Sequence, residues 1–238
     1  MTSNTGSVAL VWVRSLLFHI AALVATIPFL PLFVLLLGPM RFVWPVLCFY
    51  LRLQLFLLRL ICGQTYRVTG LENAPHTPVI LAARHESMWE TLVLPTLFKN
   101  PAVVLKNEIL RYPLAGVVAR KLEFIGVDRS GALDRAKETF DAAKMQAAKG
   151  RSILIFPNGT RNPDLRNRVQ PGVAVLYRTL KLPCLPIVHD SGLLWPYRSW
   201  LRHPGVITIR ILPTIPPGLR TSEFLSRLES DLAKPAAE

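Results

Sequence analysis

From residue 64 onward short apolar runs alternate with amphipathic stretches, whereas before it apolar residues run almost without a break. Residues 65–68, 79–82, 102–105, 124–127, 153–156, 184–188 and 206–212 have the length and character predicted for strands. Between them, Leu133, Ala136, Phe140, Ala143 and Ala147 recur at three and four, predicting a helix over 132–149 that Gly150 ends. Pro171 suits the first helical position ahead of a helix over 173–181, because its missing N–H needs no partner there. The tail from Pro213 carries Pro-Pro-Gly and then a short amphipathic helix over 222–232. Such alternation predicts an α/β fold with a largely parallel central sheet flanked by helices.

The first 63 residues form a separate segment. The 26 residues from Ser15 to Met40 contain no Asp, Glu, Lys or Arg, and no acidic residue precedes Glu72. About 20 apolar residues suffice to cross the hydrocarbon core. The stretch is too long for a secretory signal and lacks a small-x-small cleavage site. A second run, 42–62, is interrupted by Arg52 and Arg59, seven apart and so on one face of a helix. Arginines on one face suit a helix in the headgroup layer better than one at the bilayer centre. The preferred picture is an N-terminal apolar helical hairpin dipping into one leaflet, with two true spans as the alternative. The expected division is a membrane-binding segment over 1–63 and an α/β domain over 64–238. Were the chain to cross, Arg41, Arg52, Arg59 and Arg67 would place that domain on the cytoplasmic side.

Net charge narrows the partners. The total is +13, and residues beyond Arg67 contribute +8 of it (23 Lys+Arg against 15 Asp+Glu). No zinc-finger spacing, RNA-binding aromatic signature or dense Lys/Arg tract accompanies it, which argues against nucleic acid. Beside an apolar anchor, anionic membrane lipid is the economical partner. Cys48, Cys62 and Cys184 have no metal-ligand spacing and are odd in number, so buried thiols in a reducing compartment are expected.

Two polar clusters follow apolar runs, where open α/β sheets place their chemistry. The first is His85-Glu86-Ser87-Met88-Trp89-Glu90 after 78–83; the second is Phe156-Pro157-Asn158-Gly159-Thr160-Arg161 after 153–155. His85 and Glu90 are five apart, so they meet only if His85 lies in the loop and the helix starts near Ser87. Glu90 could then fix the imidazole tautomer and leave the second ring nitrogen to deprotonate a hydroxyl. Equally, Ser87-x-x-Glu90 is a capping-box pattern in which Glu90 only bonds the Ser87 N–H. The second cluster offers backbone N–H groups and a guanidinium suited to an anion. A hairpin turn at Asn158-Gly159 is disfavoured because 162–170 lacks the alternation of a returning strand. No Gly-x-Ser-x-Gly elbow supports a serine acyl-enzyme. His189-Asp190-Ser191 reads as packing, Trp195 and Trp200 as core or lipid-interface residues, and His76 and His203 as exposed loop residues.

These clusters resemble the motifs of the 1-acyl-glycerol-3-phosphate acyltransferase family (PlsC-like lysophosphatidate acyltransferases). Arg84 to Glu90 is similar to its Asn-His-x-x-x-x-Asp motif, Phe124-Ile125-Gly126-Val127-Asp128-Arg129 to its second, Phe156 to Arg161 to its Phe-Pro-Glu-Gly-Thr-Arg motif, and Leu185-Pro186-Ile187-Val188 to its fourth. All four occur in the family's order. Glu90 stands for the usual Asp, one methylene longer, and Asn158 for the usual Glu, which would remove a charge from the acceptor pocket. The resemblance implies a glycerolphosphate acyltransferase-like fold and direct transfer from an acyl thioester to a glycerol hydroxyl. His85 would be the base, oriented by Glu90. Arg161 and Arg129 would clamp the acceptor phosphate, Gly159 and Thr160 would offer it N–H groups, and Lys106, similar to a family lysine, would assist.

The expected product is phosphatidate. Acyl-ACP or acyl-CoA would be the co-substrate, with no metal or other cofactor. The expected place is the cytoplasmic side of a bacterial-type inner membrane. The alternatives are the same chemistry on another lysolipid or an amino-acid lipid, supported by Asn158, and a non-catalytic module that binds anionic lipid.

Overall fold

The computed structural model describes residues 5–29, 39–113, 115–128, 133–165 and 168–236. Strands β1 (Gln64–Thr69), β2 (Ile80–Ala83), β3 (Ala102–Lys106), β4 (Ile125–Val127), β5 (Ile153–Ile155), β6 (Cys184–His189) and β7 (Gly205–Ile211) form one sheet in the order β1-β7-β6-β2-β5-β3-β4. Each predicted strand is present, within one residue at either end. Neighbours pair in parallel except β6 and β7, so β1 and β7 run against the other five. That reversal follows from the connection. A parallel crossover needs a covering element, usually a helix, and between β6 and β7 there is only the four-residue α7 (Ser191–Leu194).

Alternate side chains of the central strands feed opposite layers, as a pleated strand requires. Ile80 and Ala82 join Ile153, Cys184 and Val188 beneath α5 (Leu133–Ala148), α6 (Gly172–Leu180) and α8 (Thr221–Ala233). Leu81 and Ala83 join Leu154, Leu185 and Ile187 beneath α3 (Trp89–Leu97) and the N-terminal helices. Pro171 stands just outside α6 rather than as its first residue, although its φ of −57° is already helical.

The N-terminal helices α1 (Thr5–Thr26) and α2 (Met40–Leu57) are antiparallel: Cys62 Sγ lies 3.7 Å from Arg14 O at one end, and Thr26 Oγ1 lies 3.0 Å from Tyr50 OH at the other. By length and composition, Val8–Phe29 and Arg41–Cys62 could each cross a membrane. One side of α1 is nevertheless committed to the α/β domain. Ser15 Oγ accepts from Arg202 N–H (2.8 Å), His19 Nε2 meets Trp200 O (2.9 Å), and Phe18 packs edge-on to Trp195. Trp195 is therefore core, with the Arg202 guanidinium 3.7 Å over its ring, whereas Trp200 rests against Trp12 and His19 of α1. His203 is half-buried rather than exposed, its carbonyl accepting from Gln64 Nε2. The opposite side of α1, including Val13, Leu16, Leu17, Ile20, Leu23 and Val24, is exposed and uncharged. On α2 the exposed stripe holds Phe49, Arg52 and Phe56, continued by Arg59 and Leu60. The inner face of α2 packs on α3.

Phe18 thus serves the domain core and not lipid. Phe18→Ala is expected to lower unfolding stability in detergent by about 3 kcal/mol or more, the usual cost of a buried Phe→Ala change. An unaltered unfolding transition would mean that α1 is an independent anchor.

Candidate active site

Parallel β6, β2 and β5 lie side by side, so their carboxyl ends open onto one edge. From β2 the chain moves past β5 to β3, and from β5 it moves past β2 to β6. This switch of direction opens a crevice, the usual ligand site in open α/β sheets. Both polar clusters line it.

His85 lies in the loop after β2, and Glu90 lies in the first turn of α3. His85 Nδ1 is 2.8 Å from Glu90 Oε1. The same carboxylate accepts from the N–H groups of Glu86 (2.9 Å) and Ser87 (3.0 Å) and from Ser87 Oγ (2.7 Å). The dyad and the helix cap are one arrangement, not rivals, because a carboxylate has lone pairs enough for both. The side chain is longer than aspartate, yet it folds back over its own turn to reach the imidazole. Ser191, after β6, also reaches Glu90, its Oγ donating to Oε2 at 3.0 Å. On the sequence alone this serine reads as packing, because its partnership with Glu90 depends on the adjacency of β6 to β2. His189 points to the same loop, Nε2 against Arg84 O (2.8 Å), whereas Asp190 turns away to accept from Thr208 N–H.

Glu90 is fully buried, yet stays ionised. Burial by itself would raise its pKa, but the bond from His85, the nearby His189 and the Ser87 N–H outweigh it and hold the carboxyl below its usual range. For His85 burial dominates and, with Arg161 beside it, lowers the pKa below the ordinary 6.5 despite the opposing pull of Glu90. A neutral imidazole beside an anionic carboxylate results. Donation from Nδ1 to Glu90 leaves the lone pair on Nε2. The ring stacks on Phe156, centroids 4.2 Å apart.

Arg161 Nε donates to that Nε2 at 3.1 Å, so a guanidinium covers the basic nitrogen. Asn158 is buried, its Nδ2 donating to His85 O (3.2 Å) and Thr160 O (2.8 Å). It joins the two loops, its amide turned to backbone carbonyls. Gly159, at φ +65°, makes the turn, and its N–H goes to Phe156 O (2.9 Å) instead of facing an anion. Thr160 Oγ1 accepts from Asn162 N–H. Among the described residues no strand returns after this turn, and 163–165 form a short 3₁₀ helix. Lys106 is exposed at the end of β3, with β5 between its strand and β2. Arg129 lies outside the described residues. Arg84 ties the site to the far end of the chain, donating to Leu232 O and Lys234 O and facing Glu86 Oε1 at 3.6 Å.

A family model described as Acyltransferase matches residues 65–190. The chain is 34% identical over 203 residues to a 1-acyl-sn-glycerol-3-phosphate acyltransferase of Pseudomonas aeruginosa, covering 77% of this chain and 79% of that protein. It is 29% identical over 193 residues to a lyso-ornithine lipid O-acyltransferase of the same organism, covering 73% and 71%. The crystal structure of the 1-acyl-sn-glycerophosphate acyltransferase PlsC from Thermotoga maritima superposes with a TM-score of 0.73 at 20% identity, over 93% of this chain and 92% of that one, and shares the fold. The two apolar helices and the bacterial relatives associate the chain with a membrane. Matched over more than half its length by the family model, and over three quarters by a 34%-identical relative, the chain belongs to the acyltransferase family.

Proposed function

We propose that the protein transfers a fatty acyl group from an acyl thioester, carried by ACP or CoA, to the free hydroxyl of 1-acyl-glycerol-3-phosphate, giving phosphatidate. The supporting observation is a single chain of contacts: Glu90 on Nδ1 of His85, and Arg161 on its Nε2. A base and an anion-binding group stand one hydrogen bond apart.

An acceptor phosphate competes well for the guanidinium, which suits bidentate phosphate contact, and uncovers Nε2. The acceptor hydroxyl then gives its proton to Nε2 as its oxygen attacks the thioester carbonyl carbon. Collapse of the tetrahedral intermediate breaks the C–S bond, and the imidazolium returns the proton to the departing thiolate. Base catalysis supplies roughly 10²–10⁴-fold, and the positioning of both substrates supplies much of the rest. The buried setting of Asn158 takes away the main support for a phosphate-free acceptor, while Arg161 favours a phosphorylated one.

The N-terminal pair rests in one leaflet on the cytoplasmic side of a bacterial-type inner membrane. The half-docked α1 and the exposed Arg52 and Arg59 on the α2 stripe favour this over two spans.

Acyl transfer from acyl-CoA to lysophosphatidate is the test. His85→Ala should lower kcat roughly 10²-fold or more, and retained activity would remove the base. His85 acts neutral and its pKa lies below 6.5, so kcat/KM should hold near neutrality and fall only as pH drops below 6.5; an acid limb above pH 7 would contradict this. Arg161→Ala should raise KM for lysophosphatidate about tenfold or more, the scale of a lost charged hydrogen bond, with phosphate-free lysolipids unaffected. An unaltered KM would refute the clamp. Asn158→Asp sets carboxylate oxygens against two carbonyls, which raises the folded-state pKa. Its deficit, about 1–3 kcal/mol, should therefore grow as pH rises above about 4; a pH-independent unfolding free energy would refute the bracket.

A further inference from the structure

We propose that Ser191 is a positioning residue of this acyltransferase, holding the carboxylate that orients His85. The inference rests on the reading of His85 and Glu90 as the catalytic pair and adds a member from a third segment of the chain.

Ser191 is the first residue of α7, two residues after the end of β6, and is fully buried. Its Oγ is 3.0 Å from Glu90 Oε2 and 3.0 Å from Ser87 Oγ, which is itself 2.7 Å from the same Oε2. Two hydroxyls carry two protons. Either both point at Oε2, or Ser87 donates to Ser191 and Ser191 to Oε2; in both cases Ser191 donates to the outer oxygen of the carboxylate while His85 Nδ1 and the N–H of Glu86 take the inner one. Among the described residues, the other hydrogen bonds to the Glu90 carboxylate come from Glu86, Ser87 and His85, all in the loop that leads into α3. Ser191 begins α7 just after β6, a separate segment beside β2, so it ties the dyad to the neighbouring strand. The next residue acts alongside, Gly192 N–H reaching Glu86 Oε2 at 3.3 Å.

A donor on Oε2 also draws carboxylate charge away from the His85 bond. Removing it concentrates that charge on Nδ1–H, favours the imidazolium, and moves the acid limb of the rate profile upward. The other charged or titratable groups around the dyad are Arg161 from the β5 loop, Arg84 and Glu86 from the β2 loop, and His189 from β6. Ser191→Ala changes none of them. Ser87 is a poorer probe because its Oγ also accepts the Trp89 N–H at the start of α3.

The experiment compares wild type, Ser191→Ala and His85→Ala in acyl transfer to lysophosphatidate across pH, with thermal unfolding of each. Ser191→Ala should fold and lose about tenfold in kcat, the scale of one hydrogen bond to a charged group. Its KM values should stay within about twofold and its acid limb should move to higher pH. Wild-type kcat with an unmoved limb overturns the proposal, as does an activity loss that merely tracks the unfolded fraction. If Ser191→Ala does not fold, Ser191→Cys, close in volume but a weak donor, gives the same two readouts. An active His85→Ala would sink the dyad itself. An inactive His85→Ala beside an unaltered Ser191→Ala would sink only the role of Ser191.

Discussion

The carboxylate of Glu90 has no exposure to solvent and still carries its charge. An isolated ion in that position would be prohibitively unfavourable and would neutralise instead. It persists because donors converge from the imidazole, from two backbone N–H groups and from two hydroxyls. The N-terminus of α3 adds a favourable dipole, as helix N-termini do for anions. These donors come from the β2 loop and from α7 just after β6, while α3 carries the carboxylate itself, so the charge can be buried only when those parts have assembled. Local folding and catalytic geometry are therefore the same constraint, and the tautomer of His85 follows from it.

That constraint also links the chemistry to the membrane. α2 packs on α3, the helix that carries Glu90, and α1 docks through Ser15, Phe18 and His19 on the loop that follows β6. The exposed apolar side of α1 is thus rigidly placed relative to the crevice, and is not tethered through a loose linker. A lipid acceptor approaching along that surface meets a base whose lone pair is held by Arg161. In the proposed mechanism an acceptor whose own anion draws off the guanidinium would activate the base, which ties acceptor choice to base activation.

Much of this is legible in the sequence. The strands announce themselves because central parallel strands are buried on both faces and read as continuous apolar runs; 79–82 and 184–188 are of this kind. The His85–Glu90 pair was legible as one of two readings, and the structure merges them, since one carboxylate serves cap and imidazole together. What could not be read depends on strand order. Ser191 acts at Glu90 only because β6 lies beside β2, and a single sequence carries no direct trace of that adjacency. Asn158 looked like a lost charge in a pocket, because residue type does not reveal that its amide faces two carbonyls. The covering of Nε2 by Arg161 is likewise a property of loop conformation. The reversed direction of β1 and β7 hid in a connection that looks ordinary in sequence.

The central claim is that burial keeps His85 neutral while the Glu90 carboxylate holds its proton on Nδ1 and leaves its lone pair on Nε2. Ring nitrogen chemical shifts of ¹⁵N-labelled His85 at pH 7.5, assigned by comparison with His85→Gln, read this directly. A protonated Nδ1 beside an unprotonated Nε2 is the predicted result. A proton on Nε2 in the neutral ring, or a doubly protonated imidazolium at that pH, would contradict the account.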